Sequence, residues 1–338
     1  MNFDGRKILF LSPNFFGYEK AIQKRLEELD GKVDFYNERP SDSVLSKGII
    51  RVKSSLYQKK IDQYYRKILN EISSQSYNFL LLIKGESVPF FFLEKFREAN
   101  PKAVMIYYSY DAVSEYPKSE KLYPYFDQNF TFEPSDSTKY NLHFRPLFFL
   151  DEYLNSKINN SSKYQVSFIG SAHTDRYLVG EKVRQEADNL SLKTYFYYYA
   201  PGKTAFKLKK IFDKNLQKFN SKKLSFNKLS HSEIQKIYGE SFAVLDVNKP
   251  FQAGLTMRTF EALASGKKLI TTNSDIKNYP FFSPENILII DRKEISLNEK
   301  FFETPFQTLD ENLLAKMSLD SWIECLFFQN QDDYWNLK

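Results

Sequence analysis

The 338-residue chain is poor in the residues that build redox and metal sites, with one cysteine, Cys325, and three histidines. A lone cysteine excludes an internal disulfide and any zinc site built on cysteine, and it favours the cytoplasm. No stretch approaches the roughly 18 to 20 consecutive apolar residues that span a bilayer, so a soluble protein is expected. The apolar run from Ile8 to Leu11 after Arg6 and Lys7 is too short for a signal-peptide core and has no small-residue cleavage site, which makes it a first β-strand. No GxGxxG follows that strand, and no GxxxxGK followed by Ser or Thr occurs, so neither a dinucleotide-binding Rossmann enzyme nor a P-loop enzyme has support. Repeats and low-complexity tracts are absent too. The formal net charge of +6 suits anionic ligands but falls well short of a nucleic-acid-binding signature.

The chain does hold a regular alternation. With 42% hydrophobic residues in 338 positions it has material for two domains, each with its own core. The abundance of Phe and Tyr fits sugar-stacking surfaces, a lipid-facing patch or the codon bias of an AT-rich genome. Residues 7–12 (KILFLS), 32–36 (KVDFY), 79–83 (FLLLI) and 103–108 (AVMIYY) read as strands. Helical segments at 20–29 and 89–98 separate them, as does a charged periodic stretch to about residue 76. Such alternation predicts a parallel sheet with helices on both faces. A polar stretch at 151–163 (DEYLNSKINNSSK) reads as a linker. The pattern then restarts with strand 164–169, loop 170–176 (GSAHTDR), helix 177–190 and strand 193–199. Residues 203–223, with eight lysines against one aspartate, predict a basic surface helix, and Ser230 with Glu233 has the form of a capping box. Further strands are expected at 242–247, 269–272 and 286–291, and the helical spacing of 312–328 suits a segment that crosses back onto the first domain. The expected boundaries are 1–150, a linker at 151–163, 164–311 and a returning helix at 312–338.

The stretch best suited to chemistry is 248–273 (NKPFQAGLTMRTFEALASGKKLITTN), where strand 242–247 leads through a loop with Pro250 and Gly254 into a helix. That helix is expected from Leu255 or Thr256 to about Ser265, stopped by Gly266. Met257, Phe260, Leu263 and Ala264 fall on one side, while Arg258 and Glu261 lie three apart on another, as a solvated face or as a site. Free amides at the start of such a helix suit a phosphate, the arginine adds charge-assisted hydrogen bonds, and the glutamate can accept from ribose hydroxyls. Gly170 and Ser171 ahead of Arg176 repeat this arrangement, although Arg176 reads equally as a surface arginine. Asp111, after an apolar strand, fits a general base or the cap of the next helix. Gly17 fits close ligand approach or a plain turn, and His143 reads as structural. Asp246-Val247-Asn248 only loosely resembles the acidic triplet of metal-dependent sugar transferases, since its third residue is not acidic. The basic stretch 49–69 fits a solvated helix or one resting on anionic lipid, and 203–223 competes for the latter role.

KILFLSPNFFGYEKAIQKRLEELDGKVDFYNERP, YYSYDAVSEYP, FDQNFTFEPSD, VSFIGSAHTDR and GLTMRTFEALASGKKLITTN occur in this order, and the chain from residue 7 to about 328 resembles a GT-B glycosyltransferase. More closely it resembles the CgeB-like glycosyltransferases of capsule and lipopolysaccharide biosynthesis. The resemblance implies an α/β chain of two Rossmann-like domains facing a central cleft, with the acceptor on the first, a nucleotide-sugar donor on the second, and no metal cofactor. It implies donor-side roles for Gly170, Ser171, Arg176 and Gly254, diphosphate contacts for Thr256 and Arg258, and a ribose contact for Glu261. Gly17 and Tyr18 fall on the acceptor side. Many retaining relatives carry a second glutamate where this chain has Ala253, which leaves the stereochemistry open and makes Asp111 the base for an inverting attack. The expected activity is transfer of a hexose-type sugar from a UDP-sugar to a glycan or lipid-linked glycan, in the cytoplasm or peripherally at the inner face of the plasma membrane. A nucleotide-sugar epimerase of the same fold and a non-catalytic glycan-binding assembly protein are the alternatives.

Overall fold

A computed structural model describes residues 1–41, 57–154, 162–329 and 333–335. The chain divides into two units: Met1–Pro146 with the C-terminal stretch from Asp320, and Leu147–Leu319.

In the first unit, strands β1 (Lys7–Ser12), β2 (Lys32–Asn37), β3 (Phe79–Ile83), β4 (Val104–Ser109), β5 (Gln128–Thr131) and β6 (His143–Phe144) form one sheet in the order β2-β1-β3-β4-β5-β6. Every pairing in it is parallel. The uninterrupted FLLLI of β3 is wholly buried, as a strand covered on both faces must be. Helices α1 (Tyr18–Glu28), α2 (Gln58–Ile72), α3 (Phe90–Ala99) and α4 (Pro134–Tyr140) connect the strands. Helix α2 turns Ile61, Tyr65, Ile68 and Ile72 inward at helical spacing, against a core that includes Leu9, Leu80 and Phe92. The expected basic stretch 49–69 is described only from residue 57; its earlier part lies outside the described residues.

The second unit holds β7 (Tyr164–Ser171), β8 (Thr194–Tyr199), β9 (Leu224–Ser225), β10 (Ser241–Asp246), β11 (Lys268–Thr271) and β12 (Ile287–Ile289), again all parallel, in the order β12-β11-β10-β7-β8-β9. Around them lie α5 (Arg176–Asn189), α6 (Lys203–Phe212), α7 (Lys214–Gln217), α8 (His231–Gly239), α9 (Met257–Ala264), α10 (Glu299–Glu303) and α11 (Glu311–Lys316). The strand order reverses direction between β7 and β10, and in open parallel sheets ligands bind beyond the carboxyl ends of the strands at that point.

Two expected helices are broken. The segment 203–223 is interrupted at Asp213, whose carboxylate accepts from the amides of Asn215 and Leu216 and so starts α7 instead of continuing α6. The segment 312–328 is interrupted after α11, where the Phe149 amide bonds to Met317 O (3.1 Å) and the Leu319 amide to Phe149 O (3.1 Å). It resumes as α12 (Leu319–Glu324) and a π turn (Cys325–Gln329) that return to the first unit. There Trp322, Cys325 and Leu326 are fully buried, with Trp322 on the Tyr108 ring at 4.9 Å. The capping box forms: Ser230 accepts from the Glu233 amide and donates its own amide to the Glu233 carboxylate. Gly266 ends α9 at φ 66°, and the Lys267 amide reaches back to Ala262 O. Among the described residues no helix is long and apolar enough to cross a membrane.

Candidate functional site

Helix α9 is buried nearly all round, which removes the solvated-face reading: the Arg258 side chain is 14% exposed and Glu261 3%. Thr256 is its N-cap residue but does not cap it, because its hydroxyl donates to Asp246 Oδ2 (2.8 Å). Thr259 donates to the same oxygen (2.9 Å), and Arg258 Nη1 donates to Oδ1 (2.6 Å). The buried carboxylate at the end of β10 thus organises the first turn of the helix, and the first-turn amides are left without a side-chain cap. Within the Asp246-Val247-Asn248 triplet, both Asp246 oxygens are thus taken up by Thr256, Arg258 and Thr259. Asn248 holds the loop, its Nδ2 donating to Gln252 O (2.7 Å) and its Oδ1 accepting from Thr272 (2.8 Å). Gly254 O is fixed by Gln252 Nε2 (2.7 Å).

Two arginines cross between the neighbouring strands. Arg176, which follows β7, donates from Nε to Val247 O (2.8 Å) just beyond β10. Arg258, which follows β10, donates from Nε to Ile169 O (3.0 Å) in β7 and lies over the Phe168 ring. Gly170 makes room for this crossing. A Cβ there would come within 2.6 Å of the Phe168 ring and 3.3 Å of Arg258 Nη2. Ser171 closes β7 opposite Tyr199.

The two guanidinium groups differ electrostatically. Burial works against the Arg258 charge, yet Asp246, with Tyr238 and Glu261, more than compensates and holds its pKa above the ordinary value. Arg176 has no carboxylate within ion-pair reach among the described residues; its Nη1 meets His173 Nε2 at 3.1 Å. Burial, and then repulsion from Arg258, pushes its pKa down to about 10. Arg292, absent from the sequence-based set, adds a third cation: its Nη1 meets both oxygens of Asp175 (3.0 and 2.9 Å), and its Nη2 meets Asn248 O (2.7 Å). Its only sequence signal is a position just after a strand. Glu261 bonds with the Tyr153 hydroxyl, which also meets His231 Nδ1 at 3.0 Å, and burial followed by the Glu261 charge raises the Tyr153 pKa.

The acceptor-side residues lie in the first unit. Gly17 sits at φ 96° as the N-cap residue of α1, and the buried Glu19 carboxylate accepts from the amides of Phe15 (2.9 Å) and Gly17 (3.2 Å), so the turn is satisfied from within. Tyr18 is buried. Asp111 accepts an ion pair from Lys84 Nζ at 2.6 Å, and the same ammonium lies 3.1 Å from Glu86, which also pairs with Arg39. Lys84 adopts φ 77° immediately before Gly85 at the same angle, a left-handed pair at the end of β3. Glu38 completes this buried group of charges; in the sequence it opens the charged periodic stretch that follows β2, where nothing marks it as buried. Among the described residues no cluster of three His, Cys, Asp or Glu side chains forms a metal site.

No protein-family model matches the chain, and no curated protein sequence matches it. Solved structures do. Sucrose-phosphate synthase from Thermosynechococcus elongatus superposes with a TM-score of 0.54 at 9% identity, over 94% of this chain and 89% of that one. The catalytic domain of starch synthase IV from Arabidopsis thaliana, bound to ADP and acarbose, gives 0.52 at 9% identity, over 96% and 99%. At this identity the likeness is one of fold, and both structures are GT-B glycosyltransferases. With its two parallel six-stranded sheets and flanking helices, the chain has the two-domain α/β GT-B fold.

Proposed function

We propose that the chain is a glycosyltransferase of the CgeB-like type, moving a sugar from a nucleoside diphosphate donor, UDP foremost, to a surface glycan of the capsule, lipopolysaccharide or exopolysaccharide class. Arg176 carries this reading. It is a 9% exposed cation with no carboxylate of its own among the described residues, next to a second arginine and an uncapped helix start, at the strand crossing where such sheets take ligands. A diphosphate would supply the missing negative charge. In this reading Arg176 and the first amides of α9 meet the phosphates, Arg258 keeps its tie to Asp246 and orients the turn, and Gly170, Ser171, Thr256 and Gly254 line the approach. Glu261, steadied by Tyr153, accepts from the ribose hydroxyls. As the bond between the sugar carbon and the diphosphate oxygen breaks, charge grows on that oxygen and the arginines stabilise it. On the acceptor side, with Gly17 and Tyr18, Asp111 takes the proton of the attacking hydroxyl once it leaves Lys84. No metal is assigned a role, and the place of action is the inner membrane surface.

Calorimetric titration with uridine and UDP tests this. Arg176→Ala should weaken UDP binding by about 10- to 100-fold, the worth of a charged hydrogen bond, and leave uridine binding in place. Equal loss for both ligands would remove the phosphate role. Thermal-shift screening of the native chain against UDP, GDP, dTDP and CMP sugars tests the wider reading, which does not survive if none of them stabilises the protein.

A further inference from the structure

Residues 203–223 carry eight lysines and one aspartate, a balance of +7, whereas the whole chain carries +6, so the rest of the chain nets −1. The excess charge sits where α6 is inverted in polarity. Phe206 packs inward and is buried, while Leu208 and Ile211, at about 100° per residue, fall on the opposite side. They are 60% and 64% exposed. Some lysines are engaged: Lys203 lies over the Phe226 ring, Lys210 donates to Phe219 O (2.7 Å) and Lys223 pairs with Glu181. Lys207, Lys214, Lys218 and Lys222 are exposed, and among the described residues none of them has a carboxylate in ion-pair reach.

An aliphatic pair set among long cationic side chains matches a lipid interface, where the aliphatic groups enter the acyl boundary and the lysine stems let their ammonium groups rise to headgroup level. Protein interfaces deplete lysine and rest on aromatic and arginine anchors, and nucleic-acid surfaces add stacking rings or arginine; among the described side chains the exposed face of α6 and α7 shows no aromatic ring and no arginine. We infer that α6 and α7 form a docking surface for a bilayer rich in anionic headgroups, with Leu208 and Ile211 as the inserted residues. This gives the peripheral location proposed above a place on the second unit. It is measured without a donor, so it stands or falls apart from the transferase reading.

The test is co-sedimentation of the full chain with phosphatidylserine–phosphatidylcholine vesicles and with pure phosphatidylcholine vesicles, at low and high salt. Binding should require the anionic lipid and weaken with salt. Each lysine near the surface raises partitioning roughly fivefold, so Lys207→Ala, Lys214→Ala, Lys218→Ala and Lys222→Ala together should reduce it by several hundredfold. Leu208→Ser with Ile211→Ser should reduce it by about 10- to 100-fold. Leu208→Cys carrying an environment-sensitive fluorophore gives a second readout, a blue shift on vesicle addition, with buried Cys325 shielded from labelling. Three results would overturn the inference: no sedimentation of the native chain, sedimentation undiminished in both variants, or capture by polyglutamate with no fluorophore shift on vesicles. The last would assign the patch to an acidic protein.

Discussion

Glu38 should make the stability of the first unit fall as pH rises from about 4.5 to neutrality. Its backbone is pinned, the amide bonding to Ser12 O (3.1 Å) and the carbonyl accepting from Tyr65 (2.7 Å) and Ser87. Its carboxyl is 0% exposed, and neither oxygen has a hydrogen-bond partner among the described residues. The nearest cation contact is Arg39 Nε at 3.8 Å. Burial raises the carboxyl from its ordinary 4.5 to about 7; Arg39, Lys84 and the Gly85 amide pull it down, and Glu86 pushes it up. The folded chain therefore holds a proton that the unfolded chain releases between those values. The stability this adds is whole below 4.5, declines as pH rises and is gone above about 7. At about 1.4 kcal/mol per pH unit the interval amounts to about 3 kcal/mol. Glu38→Gln keeps the shape and removes the titration, so its advantage over the native chain should grow by most of that amount between about pH 5 and about pH 8. Urea melts followed by tryptophan fluorescence read the right unit, because Trp322 and Trp335, the chain's two tryptophans, both belong to the first. Parallel pH profiles for the two proteins would refute the reasoning, since a constant offset measures only the amide and not a buried ionisation.

Asp246→Asn should destabilise the second unit by about 3–5 kcal/mol, the effect of leaving a buried cation without its partner, read as the loss of one calorimetric transition to lower temperature. A transition left in place would show that Arg258 does not depend on that carboxylate. Gly170→Ala puts a methyl group against the Phe168 ring and should cost about 1–3 kcal/mol while weakening UDP binding; native stability would mean that the ring swings clear. Ser230→Ala, which removes half of the capping box, should lower stability by about 1 kcal/mol without touching nucleotide affinity, a control for the other two.

Local patterns marked the elements well because each carries its own punctuation: apolar runs for β1, β3 and β4, the serine and glutamate of the α8 cap, and Gly266 after α9. Strand order was less legible. That β7 lies beside β10, far along the chain, depends on pairings no local window contains, and those pairings bring Arg176 to Val247 O and Arg258 to Ile169 O. The burial of Asp246 and Glu38 was equally hard to read. Each follows a strand, and only the structure shows both buried, Asp246 filled with donors and Glu38 with its nearest guanidinium nitrogen at 3.8 Å. The break at Asp213 was hidden by the lysines around it, whose helical propensity masked a capping residue in the middle of the run.

The return of the C-terminal segment sets an order of events during synthesis. The first unit is completed by residues made after the second: Trp322 covers Tyr108, Phe327 covers Phe3 and Phe79, and Asp320 clamps Arg25 through both carboxylate oxygens. All of Leu147–Leu319 is translated in between, roughly ten to thirty seconds at ordinary ribosomal rates. Throughout that interval the nascent first sheet carries an uncovered aromatic face, the kind of surface that chaperones bind, while all six strands described for the second unit are already made. A frameshift or proteolytic cut just after Leu319 would thus strand the first unit and spare the second.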